Sequence, residues 1–524
     1  VSVDGGTIKL DGNYPVGTQN VALGDTALDS VQSGGNYNVA VGSSAGTAIT
    51  TGDDNTFIGY ASGDATTTAS GNTAVGSSAF STNTTGGDNV AIGEAALLFS
   101  TTASGNTAVG NSALRQNTTA SNNTAVGYQA GYNNTTGVNT FVGAYVGGVN
   151  TTGTANTGVG GEVSGSYTTL RFNTTGSYNS AFGIGALAGN TTASNNTAVG
   201  YQAGYSNTTG SRNVAIGDVA LQLNTTASRN VAIGRSSLQN LNTTGDTYNV
   251  AVGYNALALT TTGQYNTALG ASALVSNTTA SNNTAVGYQA GYSFTTGGYS
   301  TVMGYQAAQN ATAGGTVAIG HSSAKNNTGA GITAVGSNAL TTNTSGTSST
   351  GIGTNALNDN TTGSNNVALG RDALYKNTTA DANTAVGYQA GYSNTTGQPI
   401  TATGYFTLNQ NTTGTHNNAY GYRAMRLNTT GNYNTAVGSD ALYSNTTTNF
   451  NTATGYQALY NSTGGYNTAF GDRAGYSVTS GTKNTFVGQG SGYSVSTGSK
   501  NTIIGNYNGN QGGLDIRTSS NNIV

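Results

Sequence analysis

The amino-acid sequence predicts an all-β chain wound as a parallel β-solenoid of about 28 coils, each about 17 residues long. Three observations carry this. The phrase spanning Asn122–Tyr132 returns at Asn195–Tyr205 and Asn282–Tyr292, and once more, led by Ala382, ending at Tyr392. A glycine follows the apolar residue of each looser copy, from Gly24, Gly42, Gly59, Gly76, Gly93, Gly110 and Gly127 onward to Gly488 and Gly505. Most of these marker glycines are 17 residues apart, a few 16, one pair 18 and one pair 19, while Gly160 and Gly183 are 23 apart. The residues around the marker are β-branched Thr, Val and Ile, which suit strands and disfavour helices. A glycine in every period would cost a helix about 1 kcal/mol each.

The chain opens outside this pattern. Residues 1–19 are expected to form a cap segment, with Val1-Ser-Val-Asp-Gly-Gly-Thr-Ile-Lys-Leu reading as two short strands about a Gly-Gly turn. Such a cap covers the open edge of a first coil. The repeat shaft runs over residues 20–505. Its consensus is Asn-(Thr/Val)-Ala-(Val/Ile)-Gly, two variable residues, Ala, then Leu or Gly, then a loop ending in Asn-Thr-Thr-(Gly/Ala). Each coil is expected to be a strand of about five residues, a bend, a second short strand and a turn. The longest interval places an inserted loop at Thr168-Thr-Leu-Arg-Phe172. At Thr403, Tyr420 and Thr454 the Val/Ile position is degraded, which predicts poorer packing there. Residues 506–524 are expected to be an exit segment, with Leu514-Asp-Ile-Arg517 and Asn522-Ile-Val524 as strands of a different element.

Side chains alternate along a strand, so the Thr/Val and Val/Ile columns share one face and Ala takes the other. The Val/Ile column is expected inside the coil. The Ala column admits Phe57, Phe141 and Phe486, rings that a narrow interior would hold with difficulty. The marker glycines, among them Gly93, Gly127, Gly200, Gly217, Gly234, Gly287 and Gly387, are the expected bend residues, through positive φ or a close approach by the next coil. The Asn before each strand suits a turn, and stacked Asn or Thr side chains would form ladders along the axis.

Composition removes several function classes. Net charge is −3 with only 15 Lys and Arg, which leaves no basic stripe for nucleic acid. Cysteine is absent, so no disulfide or thiolate metal site forms. No apolar run is long enough to predict a membrane span. The two histidines, His321 and His416, are several coils apart. Glu94, Glu162, Asp372 and Asp381 are scattered singly, without an acid–base pair. Calcium-binding nonapeptides do not recur, and no helix follows a glycine loop to hold phosphate. No enzyme activity, cofactor or metal is expected. The 31 tyrosines are in excess over 11 Phe and no Trp. Many follow a marker glycine directly (Tyr60, Tyr128, Tyr288, Tyr388), and others stand four residues later (Tyr132, Tyr392, Tyr476, Tyr493). They pack across coils or offer a ladder on which sugars stack. The Asn-Thr-Thr triplets match the N-glycosylation sequon because the turn recurs.

Asn89-Val-Ala-Ile-Gly93 and Asn213-Val-Ala-Ile-Gly217 resemble the head repeats of trimeric autotransporter adhesins. That resemblance implies a left-handed parallel β-roll with three chains side by side, though the usual repeat there is shorter. The longer form, Asn-Thr-Ala-Val-Gly-Tyr-Gln-Ala with Asn-Thr-Thr-Gly, is similar to tail-fibre and virion structural proteins of marine bacteriophages, cyanophages included. Gly6-Thr-Ile-Lys-Leu-Asp-Gly-Asn-Tyr-Pro15 and the stretch from Leu514 to Val524 are similar to segments flanking the repeats in such fibres. The resemblance implies a homotrimeric virion shaft that joins other virion proteins at its N-terminal end. A receptor-binding tip, a distal element outside this chain, would then meet a host receptor or glycan. At about 4.8 Å per coil the shaft would reach roughly 130–140 Å. The alternatives are a bacterial surface adhesin that binds matrix or glycans through its repeat face, and an ice-binding solenoid with a flat Thr array.

Overall fold

The computed structural model describes residues 17–161 and 167–524. Most of the expected cap at residues 1–19 lies outside the described residues. The chain divides into two compact units, Val1–Tyr265 and Asn266–Val524. Each is a parallel β-solenoid, and together they hold about 28 coils. Among the described residues there is no helix. Successive coils pair in perfect phase. Ala91 lies beside Ala108 and Ala108 beside Ala125 in the first unit, and Ala368 beside Ala385 and Ala385 beside Ala402 in the second. The 17-residue period is therefore the register itself.

The strands are shorter than the expected five residues. Most have three, such as Val90–Ile92, Thr107–Val109 and Thr435–Val437. No second strand follows in most coils. Its place is taken by consecutive turns in which non-glycine residues adopt positive φ, for example Ser112 at 59° and Leu114 at 49°. Such residues are uncommon elsewhere. Here hydrogen bonds between coils hold them: the Leu114 N–H donates to the Ala130 carbonyl at 3.0 Å, and that of Gln116 to Tyr132 at 2.9 Å. The exception is a parallel pair at the other corner, Thr226–Ser228 with Thr244–Asp246.

The interior is the reverse of the face assignment drawn from the pattern. The middle strand residue points inward: Ala91, Ala108, Ala198 and Ala385 are fully buried. The Val/Ile column points outward and is intermediate to exposed, for example 37% at Val126, 48% at Leu269 and 67% at Ile504. The reason is dimensional. A coil this thin accepts a methyl from its strand, and Leu97 or Leu114 from the opposite turns fills the remaining width. Each fully buried Leu contributes about 1.5–3 kcal/mol.

The three phenylalanines of the Ala column are inside as well, because the residue they face has been reduced. Phe57 is flanked by Gly46 and Gly63, Phe141 by Gly131 and Gly147, and Phe486 by Gly475 and Gly492. These glycines occupy the position that Leu28, Leu97 and Leu114 hold in other coils. A Cβ on Gly63 would fall 2.6 Å from the Phe57 ring, and one on Gly492 would fall 2.3 Å from Phe486. Ring and missing side chain exchange volume, which keeps the interior close-packed. For the same reason Thr403, Tyr420 and Thr454 are not packing defects. They stand in the outward column, and Ala402, Ala419 and Ala453 beside them remain fully buried.

Length variation is confined to few places. In a 17-residue coil the loop Asn precedes the strand Asn by six residues, as Asn117 precedes Asn123; in the 16-residue coil it is five, Asn134 to Asn139. The missing residue is always taken from this turn. The 23-residue coil differs, and its insertion is not at Thr168–Phe172. Leu170 is fully buried in the core column and Thr169 Oγ1 donates to the carbonyls of Gly160 and Gly183 at 2.7 Å. The extra residues precede Thr168.

The end of the second unit also differs from expectation. Asn510–Gln511 and Leu514–Asp515 form a small antiparallel hairpin. The chain then rejoins the solenoid. Thr502 bridges Ile523 in parallel, and Asn522 donates from its backbone and its amide to Asn501 Oδ1 at 3.0 and 2.7 Å. The last residues thus continue the repeat instead of starting another element.

Candidate functional site

The chemistry of this chain is arranged in columns, one residue per coil. The marker glycines come first. Gly93, Gly127, Gly200, Gly217, Gly234, Gly287 and Gly387 have φ between +124° and +138°. A Cβ on Gly217 would lie 2.6 Å from the Gly234 carbonyl carbon, and one on Gly387 would lie 2.4 Å from the Gly404 oxygen. Backbone of the next coil occupies that space, so both the conformation and the contact exclude a side chain.

Two asparagine columns follow. The strand-leading Asn is buried, and its Oδ1 accepts two bonds from the coil above: Asn72 donates to Asn55 Oδ1 from its backbone at 3.0 Å and from its amide at 3.1 Å, and Asn89 repeats both on Asn72. The Asn of Asn-Thr-Thr forms the second ladder. It runs through Asn343, Asn360, Asn377, Asn394, Asn411, Asn428 and Asn445, with amide bonds of 2.7 to 3.1 Å. In the first unit this ladder crosses the 23-residue coil unbroken, from Asn150 to Asn173 at 2.6 Å. Buried amides this densely paired stabilise the register, because any slip leaves them unsatisfied. These sequon asparagines are inside the fold. Their threonines extend the array, as Thr174 Oγ1 donates to the Thr191 carbonyl at 3.1 Å.

The aromatic residues form three further columns, seen most fully in the second unit. Directly after the marker glycine, Tyr388, Tyr405 and Tyr422 stack at 5.2 and 5.5 Å, as do Tyr288, Tyr305 and His321 at 5.4 Å. Four residues on, Tyr443, Tyr460, Tyr476 and Tyr493 stack at 5.0 to 5.3 Å. Just before the strand Asn, His416, Tyr433, Phe450 and Tyr466 stack at 4.7 to 5.1 Å. Interplanar angles in these stacks do not exceed 22°. Each inner ring therefore has both faces covered by its neighbours. Edges and hydroxyls meet solvent, and a ladder of this kind offers sugar no ring face except at its ends.

Among the described residues, the candidate histidines and carboxylates are not brought together. His321 and His416 each sit in an aromatic stack, apart from one another. Glu94 accepts from Asn111 at 3.1 Å, Asp372 from Asn355 at 3.0 Å, and Asp381 from the Ser364 N–H at 2.6 Å. Glu162 lies outside the described residues. Among the described residues no three His, Cys, Asp or Glu side chains gather where they could hold a metal ion, and no helix is long and apolar enough to cross a membrane. The best-organised ion pair is structural. Arg423 donates from Nε and Nη2 to the two Asp440 oxygens at 2.8 and 3.0 Å, which holds its guanidinium above the usual range. At the C-terminal hairpin, hydrogen bonds from Arg517 lower the Asp515 carboxyl to about 2.

The chain matches no protein-family model and no curated protein.

Proposed function

We propose that this chain is the structural shaft of a phage tail fibre, built as a parallel homotrimer, that carries a receptor-binding tip for host attachment. One observation supports it most. Most coils turn a Thr or Val and a Val, Ile or Leu outward, and the second of these columns is part-exposed, as at Ile92, Val199, Leu369 and Val487. A strip of apolar side chains renewed in most coils exceeds what soluble monomers usually expose. Parallel association of identical chains would cover it coil by coil. A solenoid also gives reach and stiffness at low cost in sequence variety. The resemblance to fibre and adhesin repeats supplies three as the number of chains and the virion as the place.

Sedimentation equilibrium on the chain tests the assembly. About three times the chain mass of 52.1 kDa is expected at micromolar concentration; a mass of one chain would reject the trimer. Antibody labelling of native particles tests the place, and label confined to bacterial surfaces would favour an adhesin instead.

A further inference from the structure

The second unit carries a cleft near its C-terminal end, lined by Asp472, Arg473, Gln489, Gly490, Tyr493 and Asn506, with a volume of about 280 Å³. Its origin can be followed residue by residue. Asp472, Gln489 and Asn506 directly follow the marker glycines Gly471, Gly488 and Gly505, the position held by Tyr405, Tyr422 and Tyr456 in earlier coils. The aromatic column has become a row of polar side chains. One residue further on, neighbouring coils carry Gln457 and Arg473, but here the residue is Gly490. A Cβ on Gly490 would meet nothing within 4 Å, and the same holds for Gly505. The next coil does not cover this corner because the chain leaves into the hairpin Asn510–Gln511 with Leu514–Asp515.

The tyrosine stack also stops here. Tyr493 packs one side against Tyr476 at 5.1 Å and 5°, and the next place in the column falls to Asn508, whose carbonyl accepts from the Ser494 N–H as that of Tyr493 accepts from Ser477. Tyr493 is thus the terminal ring of its ladder, and it lines the cleft.

We propose that this cleft binds one monosaccharide unit of a glycan. The chemistry of its walls selects that class. A sugar ring presents C–H groups that pack on the electron-rich face of an aromatic ring. Its hydroxyls each donate and accept, which matches the carboxylate of Asp472 and the amides of Gln489 and Asn506, supplied by three coils, with Arg473 on the wall and its guanidinium over the Tyr456 ring at 5.6 Å. Asp472 and Arg473 cancel in charge, so neither a free anion nor a free cation is favoured. Gln489 Nε2 already reaches toward Asp472 Oδ2 at 3.4 Å, a long bond that a ligand hydroxyl can replace. The volume is near the lower limit of small-molecule sites and fits a single ring, with the open side left for the rest of a glycan. This site belongs to the chain's own surface and does not depend on the fibre reading.

The test uses the full chain and saturation-transfer NMR with methyl glycosides of glucose, galactose, mannose, fucose and N-acetylglucosamine at about 10 mM. At least one is expected to bind with a Kd on the order of 1 mM. Gly490→Asn is the decisive variant. Asn255, Asn338 and Asn355 hold the same repeat position with φ of 56° to 58°, against 63° at Gly490, so the fold accepts asparagine there. Its side chain fills the cleft, and binding is expected to weaken by roughly tenfold or more with an unchanged melting temperature. Tyr493→Ala is expected to do the same. The proposal is overturned if no glycoside shows transfer, if Gly490→Asn binds as the parent does, or if inorganic phosphate displaces the sugar in an Arg473-dependent way, which would make this an anion site.

Discussion

The coil around Phe57 and the coil around Ala91, both in the first unit, share every backbone ladder and differ in how they fill the same interior. In the Ala91 coil a methyl from the strand faces Leu97 from the turns, all fully buried. In the Phe57 coil a ring from the strand faces Gly63, with Gly46 on its other side. Between them stands Phe80, opposite Ala74. The comparison teaches that either wall of the solenoid can supply the bulk that fills its interior. Backbone register in these coils is set elsewhere, by the strand-leading asparagine ladder through Asn55, Asn72 and Asn89 and by the marker glycines; the loop position holds Thr66 and Ser100 instead of asparagine.

The largest effect expected is in the Phe57 coil. Phe57→Ala leaves a cavity that no neighbour fills and should cost about 3–5 kcal/mol in a urea melt. Adding Gly63→Leu to that variant restores the arrangement of the Ala91 coil. The double variant should recover much of the loss, whereas Gly63→Leu alone should cost about 1–3 kcal/mol through overpacking. Additive losses would break the volume-exchange account. Leu97 already sits at φ of 50° in the corresponding position, so conformation alone does not explain a loss at Gly63, whose φ is 59°.

The ladders should respond alike in both coils. Asn55→Ala beside Phe57 and Asn89→Ala beside Ala91 each leave buried partners unpaired, at about 1–3 kcal/mol apiece. Unequal losses would show that core filling and register are coupled. Deletions should separate the two walls in a similar way. Removing Ser121, in the turn between Asn117 and Asn123, mimics the natural 16-residue coils and should lower the melting temperature only slightly. Removing Gln222 should be severe. It lies between buried Leu221 and ladder Asn224, and its amide bonds Gln202 at 2.6 Å.

The smallest effect concerns Asp64, beside Gly63. Burial raises its carboxyl pKa, and its Oδ1 has no hydrogen-bond partner. A raised folded-state value means its contribution is present at acid pH and is lost as pH rises through that value. Asp64→Asn should therefore raise the melting temperature at pH 7 and bring no gain near pH 3. The change should stay below about 1 kcal/mol because the group is partly exposed. A loss at pH 7 would contradict the sign.

Much of this protein is determined by its sequence alone. The period gave the number of coils, the parallel register and the close approach at the marker glycines, because each is a property of a residue repeated at fixed spacing. Paired Asn and Thr columns were legible for the same reason. What the tertiary structure decided was which side of each strand is inside. Alternation says that Ala opposes Val and Ile, but it does not say how wide the coil is. Width depends on the turns, where Leu97 in one coil and Gly63 in another meet strand residues of opposite size. The fate of the tyrosines was decided there too, since only stacked coils show that neighbouring rings cover each other's faces. The cleft at Tyr493 could not be read from spacing, because it arises where three columns lose their usual residue at one corner.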